Sequence, residues 1–288
     1  MRVLILGGDG MMGHQLLKTL RARHEVRVTL RRSEESYVVY NLFEPDKTYY
    51  GIDVTEQDVL RRMMGDYRPE AVVNCVGIVK QRATAKEAIP SITINALLPH
   101  QLAVLCEEYL ARLLHLSTDC VFSGRQGNYR EDDFPDAEDL YGRSKLLGEV
   151  TEPHCLTLRT SIIGWELSRK KSLLEWFVAQ SGRIKGFTKA IYSGFSTMEM
   201  ARIIERLLVD FPAASGLYQV ASAPICKYEL LVGMNRRLGL DLEVVADDTF
   251  VCDRSLDGGR FNRQFDYQPP AWDAMIEELC DQYRELKR

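Results

Sequence analysis

The chain has 288 residues, 45% of them hydrophobic and 27% charged, with a formal net charge of -4. That length buries a sizeable core, and the balance is that of an ordinary soluble globular protein. The slight acidity gives no support for a general nucleic-acid-binding surface. The longest apolar runs are too short to span a bilayer, and the opening residues are too quickly interrupted for a secretory signal. Seven cysteines, at 75, 106, 120, 155, 226, 252 and 280, form no CxxC pair and have no clustered histidines beside them. Reduced thiols in cytoplasm are the better reading than metal binding.

Residues 2 to 7 are an apolar run ending at Gly7-Gly8-Asp9-Gly10-Met11-Met12-Gly13, after which Met12, Leu16, Leu17 and Leu20 recur at helical spacing. This predicts strand, glycine-rich turn, helix. Two glycine registers overlap, Gly8-x-Gly10-x-x-Gly13 and Gly7-x-x-Gly10-x-x-Gly13. Either lets the backbone approach a pyrophosphate while the helix N-terminus presents donors to it, so Gly7, Asp9, Gly10, Met11, Met12 and Gly13 are candidate cofactor residues. The second strand, Glu25 to Leu30, ends at Arg31-Arg32. An acid there suits a ribose 2′-hydroxyl and an arginine a 2′-phosphate, so the pair points to NADPH, with NADH as the alternative.

The segment from Thr48 to Val54 follows, with Asp53-Val54 at a strand end, then a helix over 56–65 capped by Thr55. Ala71 to Val76 predicts a strand reaching Gly77. A long helix is expected from Ile92 through Asn95 to Leu110 despite Pro99, and leads to a strand from Arg112 to Ser117. Alternation at this spacing predicts an α/β fold, a Rossmann-like doubly wound parallel sheet whose ligands bind outside the carboxyl ends of the strands. Gly7, Arg31, Asp53, Gly77 and Thr118 all fall at such ends.

Tyr141 and Lys145 lie four apart on the helix predicted after Thr118-Asp119-Cys120, and therefore project from one face. A free phenol, with a pKa near 10, is a poor acid at neutral pH; a nearby ammonium favours the phenolate and makes it a better one. The Thr118 hydroxyl is placed to hold a carbonyl oxygen while Tyr141 protonates it.

Cys155 to Thr160 predicts a sixth strand. Beyond it, helices are expected over Ser172–Gln180, Thr197–Val209, Lys227–Leu238 and Trp272–Lys287, with short strands near Gly216–Ala221 and Leu242–Val245. The division expected is a dinucleotide-binding domain over 1–160 and a smaller, mainly substrate-binding lobe over 161–288, with segments free to interleave. Arg254 and Arg260, on a glycine-containing loop, are candidates for an anionic substrate.

The ordered set of motifs resembles the extended short-chain dehydrogenase/reductases, and within them the branch of dTDP-4-dehydrorhamnose reductase and related nucleotide-sugar 4-ketoreductases. The matching pieces are the Gly7–Gly13 turn, Asp53-Val54, Asn95, Ser117 to Gly124, Tyr141-Gly-Arg-Ser-Lys145 with Gly148-Glu149, and Leu158-Arg-Thr160. The match is specific as far as Thr160 and thin beyond. The resemblance implies Thr118, Tyr141 and Lys145 as catalytic trio, Asp53 and Val54 beside an adenine, and Cys75, Val76 and Gly77 beneath the cofactor. It further implies Lys80, Thr118, Asp119 and Cys120 toward the sugar nucleotide, and reduction of a 4-keto-6-deoxyhexose carried on a nucleotide, with NADPH as hydride source.

Two departures stand out. Family members commonly carry Tyr where this chain has Cys120, and the residues Val79, Lys80 and Gln81 suit an altered sugar such as an N-acetylated one. Look-alike 4,6-dehydratases place Glu at the Cys120 position, which makes that reaction unlike this chain. A 4-epimerase with retained NAD and a non-enzymatic NADP-binding regulatory subunit are the alternatives; the intact trio favours an enzyme. No membrane or nucleic-acid partner is expected, and helices able to pair are compatible with a homodimer.

Overall fold

Arg2–Leu6 forms β1, and its Val3 to Leu6 are all but fully buried, as a strand covered on both faces requires. In the computed structural model, which describes residues 1–79 and 87–287, the chain then passes through the glycine turn into α1 (Met11–Leu20). Next come β2 (Glu25–Thr29), β3 (Thr48–Tyr49), α2 (Gln57–Tyr67) and β4 (Ala71–Asn74). A continuous helical stretch follows: α3 (Ala88–Ser91), a π-helical stretch over Ile92–Leu97, and α4 (Leu98–Glu108). Then come β5 (Arg112–Leu116), α5 (Leu140–Leu147) and β6 (Cys155–Arg159).

The strands build one seven-stranded sheet in the order Gly216–Gln219, β6, β5, β4, β1, β2, β3. From β3 to β6 every neighbouring pair is parallel. Chain order reverses between β1 and β4, the switch point at which doubly wound sheets take their ligands. The expected Rossmann-like fold is what forms.

Two compact units divide the chain. The first comprises Met1–Ser117, Asp139–Leu158 and Ala201–Leu217; the second comprises Thr118–Glu138, Arg159–Met200 and Tyr218–Arg288. In the first, Leu4, Leu6 and Val72 from the sheet pack with Leu60 and Met64 of α2 and with Leu98, Leu102 and Leu105 of α4. That burial explains why Ala88–Glu108, contrary to the expectation of short apolar runs, is long and apolar enough to match a membrane span. The second unit has its own core around Phe177, Leu230, Met234 and Leu279, with the Trp165 indole donating to the Leu279 carbonyl at 2.8 Å.

Several expected elements form with shifted ends. The helices expected over Thr197–Val209 and Lys227–Leu238 have those bounds, and the last helix spans Trp272–Leu286. Helix α2 starts one residue later than expected, and Thr55 does not cap it. Its hydroxyl and amide both donate to Asp53 Oδ1, at 2.7 and 2.9 Å, closing a side-chain turn instead. The sequence reading missed short strands at Gly182–Phe187, Ala190–Tyr192 and Cys252–Asp253, and the helix Gly259–Gln264. Arg260 therefore lies in a helix rather than on a loop.

Two glycines of the first unit should respond oppositely to alanine. A Cβ at Gly148 would fall far inside contact distance of the Asn95 carbonyl, whereas at Gly65 of α2 the nearest atom, Tyr109 Oη, is 3.6 Å away. We expect Gly148→Ala to destabilise by about 1–3 kcal/mol through forced displacement, and Gly65→Ala to stabilise by roughly 0.5–1 kcal/mol, both read by urea denaturation.

Candidate active site

The glycine turn is built by close approach. Gly7 has φ +80°, a conformation open to glycine, and a Cβ there would meet Val76 Cγ2 at 3.0 Å. A Cβ at Gly13 would collide with the Gly7 carbonyl. Gly10 donates to the Gly7 carbonyl at 3.0 Å and takes the N-cap position of α1, with no capping side chain and no acid in the first turn. A Cβ at Gly8 would meet Val28 Cβ at 2.9 Å, so packing calls for glycine there as well and both glycine registers fit. The backbone donors of Met11, Met12 and Gly13 thus open a helix with no side chain competing for them, a fit for an anionic pyrophosphate.

Asp9 puts a carboxylate into this turn, and Tyr37 deals with it. The buried Tyr37 hydroxyl donates to Asp9 Oδ2 at 2.9 Å and accepts the Arg32 amide at 3.3 Å. Burial, then the Asp9 charge, pushes the Tyr37 pKa up to about 12, so the phenol stays a donor. Nothing in the residues between β2 and β3 marked Tyr37 beforehand; only the fold brings it to Asp9. Arg31 and Arg32 are exposed just past the end of β2. The Asp53 carboxyl is held below its usual range by the Thr55 amide and hydroxyl, with Arg31 adding a smaller pull. Val54 packs on the core beneath.

At the end of β4, Cys75 donates its amide to the Leu6 carbonyl at 3.1 Å, and Val76 donates to Asn74 Oδ1 at 3.1 Å. Burial pushes the Cys75 thiol up to about 12, which makes it a neutral wall. Gly77 has room for a Cβ, 3.6 Å from Asn95 Oδ1, so local packing does not demand glycine there. Asn95 ties this segment to α5. Its Oδ1 accepts from the Ile78 amide at 2.8 Å, and its Nδ2 donates to the Ile78 carbonyl at 3.0 Å and to Ser144 Oγ at 3.1 Å. The π-helical stretch carries this buried side chain, as such local widenings often do at functional sites.

Helix α5 starts at Asp139, whose carboxylate caps it by accepting the Gly142 amide at 2.9 Å. One turn on, Ser144 Oγ donates to the Tyr141 carbonyl at 3.0 Å. Tyr141 is half-buried and Lys145 is 4% exposed. Lys145 Nζ donates to the Leu116 carbonyl at 2.7 Å and lies 3.3 Å from His115 Nε2. Burial lowers the Lys145 pKa to about 8, while Glu149 and then Cys75 pull it upward. The Glu149 carboxylate accepts from Ser117 Oγ at 2.6 Å.

The first unit therefore gathers Gly7, Asp9, Gly10, Met11, Met12, Gly13, Arg31, Arg32, Asp53, Val54, Cys75, Val76, Gly77, Tyr141 and Lys145. The glycine turn, Arg31, Arg32, Cys75, Val76 and Gly77 follow directly on the carboxyl ends of parallel strands. His115 and Asn74 belong with them and were not anticipated. The available signal was a polar residue inside each of two apolar strand runs.

In the second unit, Thr118 Oγ1 accepts the Cys120 amide and donates to Asp119 Oδ1, both at 3.1 Å. Thr118 and Asp119 are buried, and Cys120 is half-buried. Arg254 donates from Nε to the Phe122 carbonyl at 2.9 Å and from Nη2 to the Ser123 carbonyl at 3.3 Å. Arg260 stacks over the Tyr218 ring, 4.7 Å from its centre. Lys80 and Gln81 lie outside the described residues.

A family model described as the RmlD substrate binding domain matches residues 1–178. The chain belongs to this family. The spore coat polysaccharide biosynthesis protein SpsK of Bacillus subtilis is 26% identical over 86% of this chain and 83% of its own length. A dTDP-4-dehydrorhamnose reductase of Aggregatibacter actinomycetemcomitans is 26% identical over 77% of this chain and 74% of its own. In fold, the chain is similar to dTDP-4-dehydrorhamnose reductase of Bacillus anthracis, solved in complex with NADP, with TM-score 0.79 and 21% identity over 98% of this chain and 99% of that one. The resemblance to the extended short-chain nucleotide-sugar reductases, read from the motifs, is borne out.

The buried amine has a thermodynamic signature. Its native pKa of about 8 lies below the unfolded value near 10.4, so between those pH values the unfolded chain holds a proton that the native amine has released. Lys145 thus contributes stability that grows as pH rises through this window and is lost as pH falls to 8. The wild-type stability minus that of Lys145→Met should rise by about 2.5 kcal/mol from pH 8 to pH 10.5, measured by urea denaturation; a flat difference would show a normally titrating lysine.

Proposed function

We propose that the protein reduces the 4-keto group of a nucleotide-activated 4-keto-6-deoxyhexose, with NADPH as reductant. The observation that carries this reading is the buried Lys145 on α5, one turn from Tyr141 and anchored to the carbonyl that ends β5, in the same unit as a glycine turn shaped for a pyrophosphate. The relatives named reductases, and the family to which the chain belongs, support it. NADPH, when bound, supplies the hydride to C4.

The residues of this chain do the rest. Gly7, Gly10 and Gly13 admit the pyrophosphate, with Met11 and Met12 giving amides to it, and Tyr37 ties up one oxygen of the Asp9 carboxylate. Arg31 and Arg32 meet the 2′-phosphate as charged, forked donors. Asp53 and Val54 flank the adenine, and Cys75 to Gly77 run under the cofactor. Lys145, as an ammonium, binds the nicotinamide ribose and favours loss of the Tyr141 proton. Tyr141 gives that proton to the oxygen on C4 as the carbonyl becomes an alcohol. Thr118 turns its hydroxyl proton from Asp119 to the same oxygen. The second unit is assigned to the sugar nucleotide, with Asp119, Cys120, Arg254 and Arg260 as substrate-side residues. The Arg254 guanidinium acts there partly by holding the backbone of Phe122 and Ser123. Cys120, smaller than tyrosine, leaves space for a bulkier substituent such as an N-acetyl group.

The test is a panel of UDP-, dTDP- and GDP-4-keto-6-deoxy sugars scored for loss of NADPH absorbance. At least one should be reduced, and Tyr141→Phe should slow it by about 10²–10⁴-fold. Sugar conversion without added NADPH would establish an epimerase instead, and no turnover with tight binding to another protein a regulatory subunit. Arg31→Ala combined with Arg32→Ala should weaken NADPH far more than NADH; equal weakening would remove the 2′-phosphate role.

A further inference from the structure

Behind Lys145 runs a chain of hydrogen bonds whose side chains, Asn74, His115 and Lys145, are all buried. Val76 donates its amide to Asn74 Oδ1 at 3.1 Å; Asn74 Nδ2 lies 3.1 Å from His115 Nδ1; His115 Nε2 lies 3.3 Å from Lys145 Nζ; and Nζ donates to the Leu116 carbonyl at 2.7 Å. Asn74 is 1% exposed, His115 0% and Lys145 4%, so water is a poor substitute for any link.

The direction of this chain is set at one end. A backbone amide only donates, so Asn74 must turn its oxygen to Val76 and its NH₂ group to the imidazole. His115 Nδ1 then accepts. Burial drives the His115 pKa well below its usual value, so the ring is neutral. With Nδ1 accepting, its single proton lies on Nε2. That proton points at Nζ. An uncharged amine accepts it with its lone pair and still donates to Leu116, whereas an ammonium, which only donates, confronts it. Inverting the imidazole would not help, because Asn74 would then turn its NH₂ group against the Val76 amide.

We propose that Asn74 and His115 are positioning residues that favour the uncharged amine of Lys145 in the cofactor-free protein at alkaline pH, and that there Lys145 takes a proton from solvent when the cofactor binds. The reaction is –NH₂ + H⁺ → –NH₃⁺, driven by the acceptor oxygens that the ribose hydroxyls bring. Among the described residues, the other titratable groups around the amine are Cys75 from the end of β4, Glu149 beyond α5 and Tyr141 on its own helix. The neutral Cys75 thiol adds no charge, and the Glu149 carboxylate is shared with Ser117 Oγ. The lowered pKa of Lys145 agrees with the arrangement and places its titration near pH 8. The inference rests on the reductase reading only in taking NADP as the ligand.

Calorimetry of NADP⁺ binding in buffers of different ionisation enthalpy reads the proton directly. A Tyr141→Phe background keeps the phenol from contributing. Uptake should be near zero at pH 6.5, roughly half a proton per site at pH 8 and about 0.9 at pH 9. Asn74→Asp offers one carboxylate oxygen to the Val76 amide and the other to His115 Nδ1–H, which inverts the tautomer and gives the ammonium an acceptor. Uptake should then vanish at every pH, whereas a residue that merely packs would change affinity and leave uptake in place. Nitrogen chemical shifts of His115 in the cofactor-free wild type should report protonated Nε2 and bare Nδ1. NADP⁺ binding without uptake at pH 9, or a proton found on Nδ1, overturns the proposal. Failure to bind NADP⁺ at all would count against the reductase reading instead, and the tautomer then decides the hydrogen-bond chain by itself.

Discussion

Everything at the candidate site turns on an amine taken out of water. Lys145 is almost fully buried, with a carbonyl at the end of β5 as its acceptor and an imidazole as its other neighbour. Burying a charged ammonium is costly, and the two ways of relieving that cost are a partner charge and loss of the proton. Here burial favours the neutral form, while Glu149 offers a partial counterweight. A group balanced in this way changes charge with a modest change in surroundings.

The cradle and the lysine are linked through the backbone of one sheet edge. Gly7 lies so close to Val76 that its Cβ position is already taken, and Val76 is the amide from which the chain of donors to Lys145 starts. The same compactness explains Asn95. It uses both ends of its amide to fasten Ile78 and Ser144, so that α5, with Tyr141 and Lys145, is fixed against the end of β4. The collision awaiting any side chain at Gly148 shows how near the helix comes.

Two features temper a reading by motif alone. Asp9 would place negative charge where phosphate is expected, and the fold answers with a phenol brought from the segment between β2 and β3. Arg254 and Arg260, attractive as anion binders on paper, use part of their hydrogen-bonding or stacking capacity on Phe122, Ser123 and Tyr218. A charged residue near a site is thus as much a structural tie as a ligand contact.

The amino-acid sequence by itself determined the strand–turn–helix opening, the alternation that makes a parallel sheet, and the pairing of Tyr141 with Lys145, because these depend on local spacing: glycine where the chain must bend, apolar period for strand or helix, and residues four apart sharing a helix face. It also determined which family the chain joins, since those motifs recur in a set order. What only the tertiary structure decided is which groups meet across the fold. Tyr37 reaching Asp9, Asn74 facing His115, and His115 facing Lys145 join residues 28, 41 and 30 positions apart, and no local periodicity records such meetings. The protonation preference of the amine is likewise a property of its burial and of the direction in which an asparagine must point, neither of which exists until the chain has folded.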